Sequence, residues 1–266
     1  MLLLIYIFFL GLIVGSFVNV VIFRVPRGES VVSGRSRCTH CGNKIYWFDL
    51  IPVVSFFVLK FRCKQCHQRI SWIYPAVELY SGIIFLLVFS FAGQVGMVNR
   101  LFLVFILEIL LALALIDLKN LILPDAIMLV MLSGILACGI LEYSSGRYLF
   151  NIFSFNNLIG AAVLFLTFFI FWFFSKGAWL GLGDAKLAGL VGLVFGLWGG
   201  LVIIYGAIIA GTVAGLVLLA SHRANLKTKL PLGTFISFSA TVYIFLGQGI
   251  LEKVKPLFFS VPFIFK

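Results

Sequence analysis

Gly181-Leu182-Gly183-Asp184 places one carboxylate between long apolar segments, directly after a pair of glycines. An ionisable side chain at the edge of a lipid bilayer is costly, so it indicates a functional site whose partner must be sought. The best partner is Asp117, which also lies at the end of an apolar segment. Asp125 competes for this role. Because it follows Pro124 and directly precedes an apolar run, its position is typical of a helix N-cap.

The composition excludes a water-soluble protein. Of the 266 residues, 62% are hydrophobic and 11% are charged, and apolar runs of about 18 or more residues predict membrane-spanning helices. We therefore expect an all-α polytopic membrane protein with about eight transmembrane helices and one small polar insert. Its N-terminus lacks the basic flank and cleavage site of a removable signal peptide. The predicted spans are 1–23, 75–93, 101–117, 125–142, 156–175, 184–199, 201–220 and 233–250.

The same pattern predicts four parts: a first transmembrane helix at 1–23, an insert at 24–74, a helical bundle at 75–250 and an interfacial tail at 251–266. Nine of the 20 Lys and Arg residues fall in the insert, against two acids. Such a cluster predicts a cytoplasmic segment that can contact anionic membrane lipid. It carries no base-reading motif, so we expect no nucleic-acid partner.

The distribution of basic residues also predicts the orientation. With the insert in the cytoplasm, 15 Lys and Arg residues lie inside and five outside, as the positive-inside rule requires. Two spans separate the insert from Asp117, and two more separate Asp117 from Asp184. An even number of crossings returns the chain to the same side, so both acids are expected at the cytoplasmic membrane border.

The insert contains two C-x-x-C motifs separated by 21 residues. Each can present two thiolates to one tetrahedral ion, which predicts a closed, structural zinc site. Disulfides or a redox pair are the alternative, but a cytoplasmic insert favours thiols. His40 and His67 flank the motifs and are interpreted as surface residues, and Cys138 as a buried apolar side chain. The predicted metal ligands are Cys38, Cys41, Cys63 and Cys66.

Two carboxylates that share one proton are what an intramembrane aspartyl protease requires. The ionised acid takes a proton from water, and the protonated acid donates to the peptide carbonyl. Gly181 and Gly183 would leave space for a substrate backbone. Lys186 either tunes the acids or marks the membrane border, and Glu78 could line the site or bind an insert residue. Glu108 lies within a span and is given no role.

Several glycines have the spacing of closely packed membrane helices. In G-x-x-x-G pairs the small residues let two helices approach, and packing holds them together. Helix packing is therefore the predicted role of these glycines. The pairs are Gly11 with Gly15, Gly192 with Gly196, and Gly211 with Gly215.

In sum, these ordered motifs resemble the bacterial prepilin peptidase family, also called type IV leader peptidases. The resemblance covers nearly the whole chain. It is carried by Gly15-Ser16-Phe17-Val18-Asn19, Arg37-Cys38-x-x-Cys41, Trp47-Phe48-Asp49, Ile51-Pro52-Val53-Val54-Ser55, Arg62-Cys63-x-x-Cys66, Tyr74-Pro75-x-Val77-Glu78, Asp117-Leu118, Leu123-Pro124-Asp125 and Gly181-x-Gly183-Asp184-Ala185-Lys186.

The resemblance implies an inner-membrane peptidase that cuts the basic leader from type IV prepilins or pseudopilins on the cytoplasmic side. It implies N-methylation of the new amino group with S-adenosylmethionine. It also assigns the catalytic aspartates to Asp117 and Asp184 and the metal ligands to the four insert cysteines. Thr39, Phe61 and His67 depart from the family pattern in the insert, the part of the chain tied to methylation.

Three other functions fit parts of the pattern. A transporter would use the acids as proton relays, but it would place them near mid-bilayer on broken helices. A membrane adaptor would use the zinc insert to bind partners and would not need Asp184. An archaeal-type preflagellin or presenilin-like protease would share the paired acids but lack the four-cysteine insert.

Overall fold

The computed structural model describes residues 2–91, 96–145, 152–222, 225 and 228–259, with side chains masked at 91, 145 and 248–259. Within this part of the chain the fold is all-helical, and the only strand-like pairings are two isolated bridges in the insert. The helices are α1 (Leu2–Arg24), α2 (Val54–Val58), α3 (Ile73–Phe91), α4 (Met97–Asn120), α5 (Asp125–Ser145), α6 (Phe155–Ser175), α7 (Leu182–Ala220) and α8 (Leu232–Phe259).

Six of the described helices are long and apolar enough to cross a membrane, and the shorter apolar helix 232–247 follows them. The first five predicted spans correspond to α1 and to α3–α6. The predicted spans 184–199 and 201–220 are two helices that join across a break at Gly196 and together form the 39-residue α7. The predicted tail was expected to begin at 251, but α8 continues to Phe259. Residues 260–266 of that tail lie outside the described residues.

The chain divides into two compact units, Met1–Ala112 and Leu113–Lys266, with the boundary inside α4. The first unit holds the insert and is built on the packing of α1 against α3. The second unit is built on α6, α7 and α8. The predicted four-part division at 23, 74 and 250 stays a prediction.

Helix α7 is interrupted at Gly196, which has φ 71° and ψ −179°. This backbone conformation is essentially restricted to glycine. A break also leaves carbonyl groups of the preceding turn without their helical partners. The buried Asn157 of α6 donates through Nδ2 to the carbonyls of Leu193 at 3.0 Å and Val194 at 3.4 Å. An uninterrupted helix of this length would span about 58 Å, well beyond a bilayer core of about 30 Å.

The packing role predicted for the paired glycines is confirmed for Gly11, Gly15 and Gly192. A Cβ at Gly15 would lie 2.7 Å from the Glu78 Cα in α3, and one at Gly11 would lie 2.8 Å from the Gly82 Cα. Close packing of backbones is what holds helices together in lipid, where no hydrophobic force acts between them.

Gly192→Ala is expected to destabilise the second unit by roughly 1–3 kcal/mol, the usual cost of overpacking. Its Cβ would clash with the carbonyl oxygen of Gly160 in α6, and backbone cannot rotate away as a side chain can. The measurement is the thermal unfolding temperature in detergent, followed by tryptophan fluorescence. Gly96→Ala is the control, because nothing lies within 4 Å of its Cβ. Equal melting temperatures for the two variants would contradict the prediction.

Candidate active site and metal centre

Asp117 lies in the last turn of α4 and is 5% exposed. The helix ends just beyond it, where Leu121 takes the left-handed conformation at φ 54° and donates its N–H to the Asp117 carbonyl at 2.8 Å. The Asp117 carboxyl is therefore held at a helix end and turned into the protein interior.

Asp184 occupies the first turn of α7. Its Oδ2 accepts the backbone N–H of Gly181 at 3.1 Å, and its own N–H donates to the Gly181 carbonyl at 3.1 Å. This reciprocal pair of bonds closes the helix N-terminus and fixes the carboxyl. The positive end of the helix dipole also favours negative charge at this position.

The second unit brings the two acids together, as predicted. Their carboxyl groups interact electrostatically, and the backbone N–H of Gly233 is a hydrogen-bond donor close to both of them. Since one amide reaches both groups, Asp117 and Asp184 form a single site at the start of α8. Their catalytic role stays a prediction at this point.

Thr234 binds Asp117 most closely. Its backbone N–H donates to Asp117 Oδ2 at 2.8 Å, and its hydroxyl lies 3.3 Å from the same oxygen. The hydroxyl also donates to the Ala114 carbonyl at 2.9 Å. Sequence reasoning missed Gly233 and Thr234. The available signal was Gly233-Thr234, two small residues shortly after Pro231 at the start of an apolar run.

Leu123 packs against two glycines of the site, Gly183 and Gly233. A Cβ on Gly183 would lie 2.8 Å from Leu123 Cβ, and one on Gly233 would lie 2.8 Å from Leu123 Cδ1 and 3.0 Å from Asp117 Oδ2. The observed role of Gly183 is therefore to admit Leu123 beside the acids. Gly181 has more room, its Cβ meeting only Asp184 Oδ2 at 3.2 Å and Gly183 N at 3.9 Å.

Asp125 and Lys186 form an ion pair, with Lys186 Nζ 2.6 Å from Asp125 Oδ1. Asp125 is the first residue of α5 instead of the residue before it, so the N-cap prediction is wrong by one position. The pair is partly solvent-accessible, with side-chain exposures of 67% for Asp125 and 36% for Lys186. Exposed pairs contribute about 0–1 kcal/mol. Lys186 thus binds the competing acid, and Asp117 is the acid next to Asp184.

Glu78 lies in α3 of the first unit and binds the insert. Its Oε2 accepts the backbone N–H of Val53 at 2.8 Å, which is one of the two roles considered for it. Val53 has φ 61°, an uncommon conformation for a β-branched residue. Glu108 is also buried in this unit, and its Oε2 accepts the Ser81 hydroxyl at 2.8 Å. The contact at Val53 joins the insert directly to α3.

The four insert cysteines converge on one point. Their sulfur atoms lie within 4.8 Å of one another, and Cys38 Sγ is 3.8 Å from Cys66 Sγ. A tetrahedral ion with Zn–S bonds of about 2.3 Å needs sulfurs about 3.8 Å apart. All five cysteines of the chain are free thiols, and Cys138 is buried as predicted. The residues fit zinc, and His40 and His67 are outside the described cluster.

The electrostatics of the thiols explain why a dication suits this cluster. Backbone N–H groups of Cys66 and Gln65 lower the pKa of Cys63 to about 7. For Cys66 the Gln68 N–H acts in the lowering direction, but desolvation and the three neighbouring thiols outweigh it and raise the pKa to about 11. Ionisation of one thiol therefore disfavours ionisation of its neighbours. A divalent cation removes that conflict, since metal binding deprotonates its ligands.

Together, the helices and the two clusters define a polytopic membrane protein with a pair of carboxyl groups, of which Asp117 is buried, and a four-thiol centre. Residues 9–91 match the bacterial peptidase A24 N-terminal domain, and residues 101–216 match the type IV leader peptidase family. The chain belongs to the type IV leader peptidase family.

Curated relatives support this membership. A prepilin leader peptidase/N-methyltransferase of Myxococcus xanthus is 37% identical over 232 residues, covering 85% of this chain and 66% of the relative. Proteins of the same name from Pseudomonas putida and Bacillus subtilis are 30% and 28% identical. These alignments cover 91% and 92% of this chain and 90% and 95% of the relatives. No solved structure gives a significant match.

Proposed function

We propose that this chain is a prepilin leader peptidase of the bacterial inner membrane, which cuts the basic leader from type IV prepilins or pseudopilins, including those of type II secretion. The observation that carries the proposal is the shared site of Asp117 and Asp184, in which the backbone N–H of Gly233 interacts with both carboxyls. Asp184 ends a G-x-G-D motif, and a second aspartate beside that motif is what an intramembrane aspartyl protease requires.

The proposed mechanism uses the two acids as a unit that shares one proton. The ionised carboxylate takes a proton from a water molecule, which attacks the scissile carbonyl carbon. The protonated carboxyl donates to the carbonyl oxygen, and the resulting tetrahedral intermediate then loses the amine. Thr234 orients the Asp117 carboxyl through Oδ2.

The location of the site agrees with the substrate. A prepilin has its basic leader in the cytoplasm and its apolar helix in the membrane, so the scissile bond lies at the border. Asp117 is in the last turn of its candidate span. Asp184 is in the first turn of the span Leu182–Ala220, with two candidate spans between them. We also propose membrane lipid as a partner, and we expect no nucleic-acid partner.

Zinc is proposed as a structural ion held by Cys38, Cys41, Cys63 and Cys66, where it would supply the folding energy of a small insert. Its closed set of four ligands leaves no position for a reacting water.

N-methylation is proposed as a second activity, supported by the names of the relatives. S-adenosylmethionine would supply the methyl group. The cavity beside the first C-x-x-C motif does not fit this cofactor. It is lined by Arg35, Arg37 and Lys44 with no acid, whereas the cofactor carries a cationic sulfonium. We therefore assign no residue to cofactor binding.

The test is a cleavage assay with the full chain reconstituted in lipid and a purified prepilin as substrate. Mass spectrometry of the mature product gives the cleavage position. Addition of labelled S-adenosylmethionine to the same assay reports methyl transfer to the new amino group. A reconstituted, folded chain that leaves the prepilin intact would contradict the peptidase, and an unlabelled but cleaved product would contradict the second activity alone.

Thr234→Val is expected to lower the kcat for cleavage about ten- to hundredfold with little change in KM. The substitution keeps the side-chain shape but removes the hydroxyl that lies against Asp117 Oδ2 and Ala114 O. A hydrogen bond to a charged group contributes about 1.5–3 kcal/mol. Thr234→Ser restores the hydroxyl and should restore most of the rate. If the Ser and Val variants were equally slow, the hydroxyl would have no positioning role.

A further inference from the structure

The insert contains the same eleven-residue pattern twice. Residues 37–47 and 62–72 share an arginine, two cysteines, a second cation, an isoleucine and a tryptophan at the same spacing. In each copy the arginine and the second cation form an antiparallel bridge, Arg37 with Lys44 and Arg62 with Arg69. Each C-x-x-C motif therefore sets two cations side by side.

This arrangement has an energetic cost within the protein. Like charges directly opposite each other on paired backbones are destabilising. Arg37 and Lys44 line a cavity of about 460 Å³ together with Arg35, and no acidic residue lines it. All three cations are exposed. An anion in the cavity would convert their mutual repulsion into attraction, and the guanidinium forks match phosphate geometry.

Exposed aromatic side chains indicate where that anion comes from. Tyr46 lines the cavity, and it is followed by Trp47, which is 79% exposed, and Phe48, which is 42% exposed. The equivalent Trp72 of the second copy is 63% exposed. Tyrosine and tryptophan are enriched at the membrane–water interface, where an apolar ring and a polar group are both accommodated.

The covalent connections keep this surface close to lipid. The chain enters the insert from α1 and leaves it into α3, and both helices are candidate membrane spans. Basic residues beside a membrane span are attracted to anionic lipids. The closeness of the bilayer and the exposed tryptophan favour a phospholipid headgroup over a soluble molecule as the source of the phosphate.

We propose that the cavity lined by Arg35, Arg37 and Lys44 binds the phosphate of an anionic phospholipid, with Trp47 entering the interfacial layer. The inference does not depend on the peptidase function. The site would fix the insert against the membrane surface.

The experiment titrates the zinc-loaded, detergent-solubilised full chain with short-chain phosphatidylglycerol and counts bound lipid by native mass spectrometry. Removing two charges with Arg37→Gln/Lys44→Gln is expected to weaken binding about a hundredfold, because each charge-assisted hydrogen bond lost to the phosphate costs about tenfold. The charge-matched control Arg27→Gln/Lys60→Gln lies in the same basic segment but outside the cavity. It should change the affinity by less than about fivefold.

Retention of zinc by each variant shows that the insert is folded, and Arg37→Lys, which keeps the charge, should lose less than Arg37→Gln. Equal weakening in the control pair would overturn the site in favour of diffuse attraction. Equal affinity for phosphatidylcholine would exclude recognition of an anionic headgroup. Inorganic phosphate or an acidic peptide that competes as well as the lipid would contradict the lipid as ligand.

Discussion

Prepilin cleavage by the Asp184→Asn variant is expected to fall by about three orders of magnitude or more, and Asp117→Asn should be equally severe. Either change removes a proton-transfer group, and general acid–base catalysis contributes about 10²–10⁴ in rate. Losses from acids that act as a unit are not additive, so the double variant should be no slower than the singles.

Asparagine is chosen because it keeps the side-chain shape and the acceptor for the Gly181 N–H at Asp184 and for the Thr234 N–H at Asp117. The measurement is the single-turnover cleavage rate in reconstituted membranes at matched protein levels. Asp125→Asn is the control, because this acid is exposed and paired with Lys186. It should retain most of the activity. Loss of cleavage in the Asp125 variant with retention in the Asp117 variant would transfer the catalytic role to Asp125.

The second large effect concerns the thiol cluster. Cys63→Ser is expected to abolish zinc binding and to unfold the insert, since four ligands close the coordination sphere and the metal supplies the folding energy. Elemental analysis of the purified protein measures zinc, and limited proteolysis measures exposure of the insert backbone.

Cys138→Ala serves as the matched control, because Cys138 is buried in α5 and lies outside the described cluster. It should keep the zinc content of the unchanged protein and its resistance to protease. If the unchanged protein contained no zinc and its insert cysteines formed disulfides, the proposal of a metal centre would be wrong. The redox alternative would then replace it.

The pairing of Asp117 with Asp184 could be predicted from sequence for a specific reason. In lipid the backbone N–H and C=O groups must form their hydrogen bonds within each helix, so each long apolar run predicts one membrane-spanning helix. The number of helices between the two acids then predicts whether they lie on the same side of the membrane. Only the spans between the two acids enter this prediction. It is therefore unaffected by the position of the break between the two helices of α7, which lies at Gly196 and not between residues 199 and 201.

Gly233 and Thr234 could not be found in the same way. They lie more than a hundred residues from Asp117, and neither is an ionisable or otherwise reactive residue type that would attract attention. Their contribution is a backbone amide and one hydroxyl, and those groups acquire a role only when the start of α8 packs against α4. For Glu78 the sequence left two roles open, and the bond to the Val53 backbone N–H decides between them.

The sequence by itself determined the membrane class, the side shared by the two acids and the four-thiol cluster, because apolar length, charge bias and cysteine spacing are local properties. Tertiary structure alone decided the neighbours of each acid. It paired Asp125 with Lys186 and gave Asp117 the Thr234 amide. It also turned glycines into contact points between helices. Such contacts depend on which backbones approach within a few ångströms, a distance that spacing along the chain does not encode.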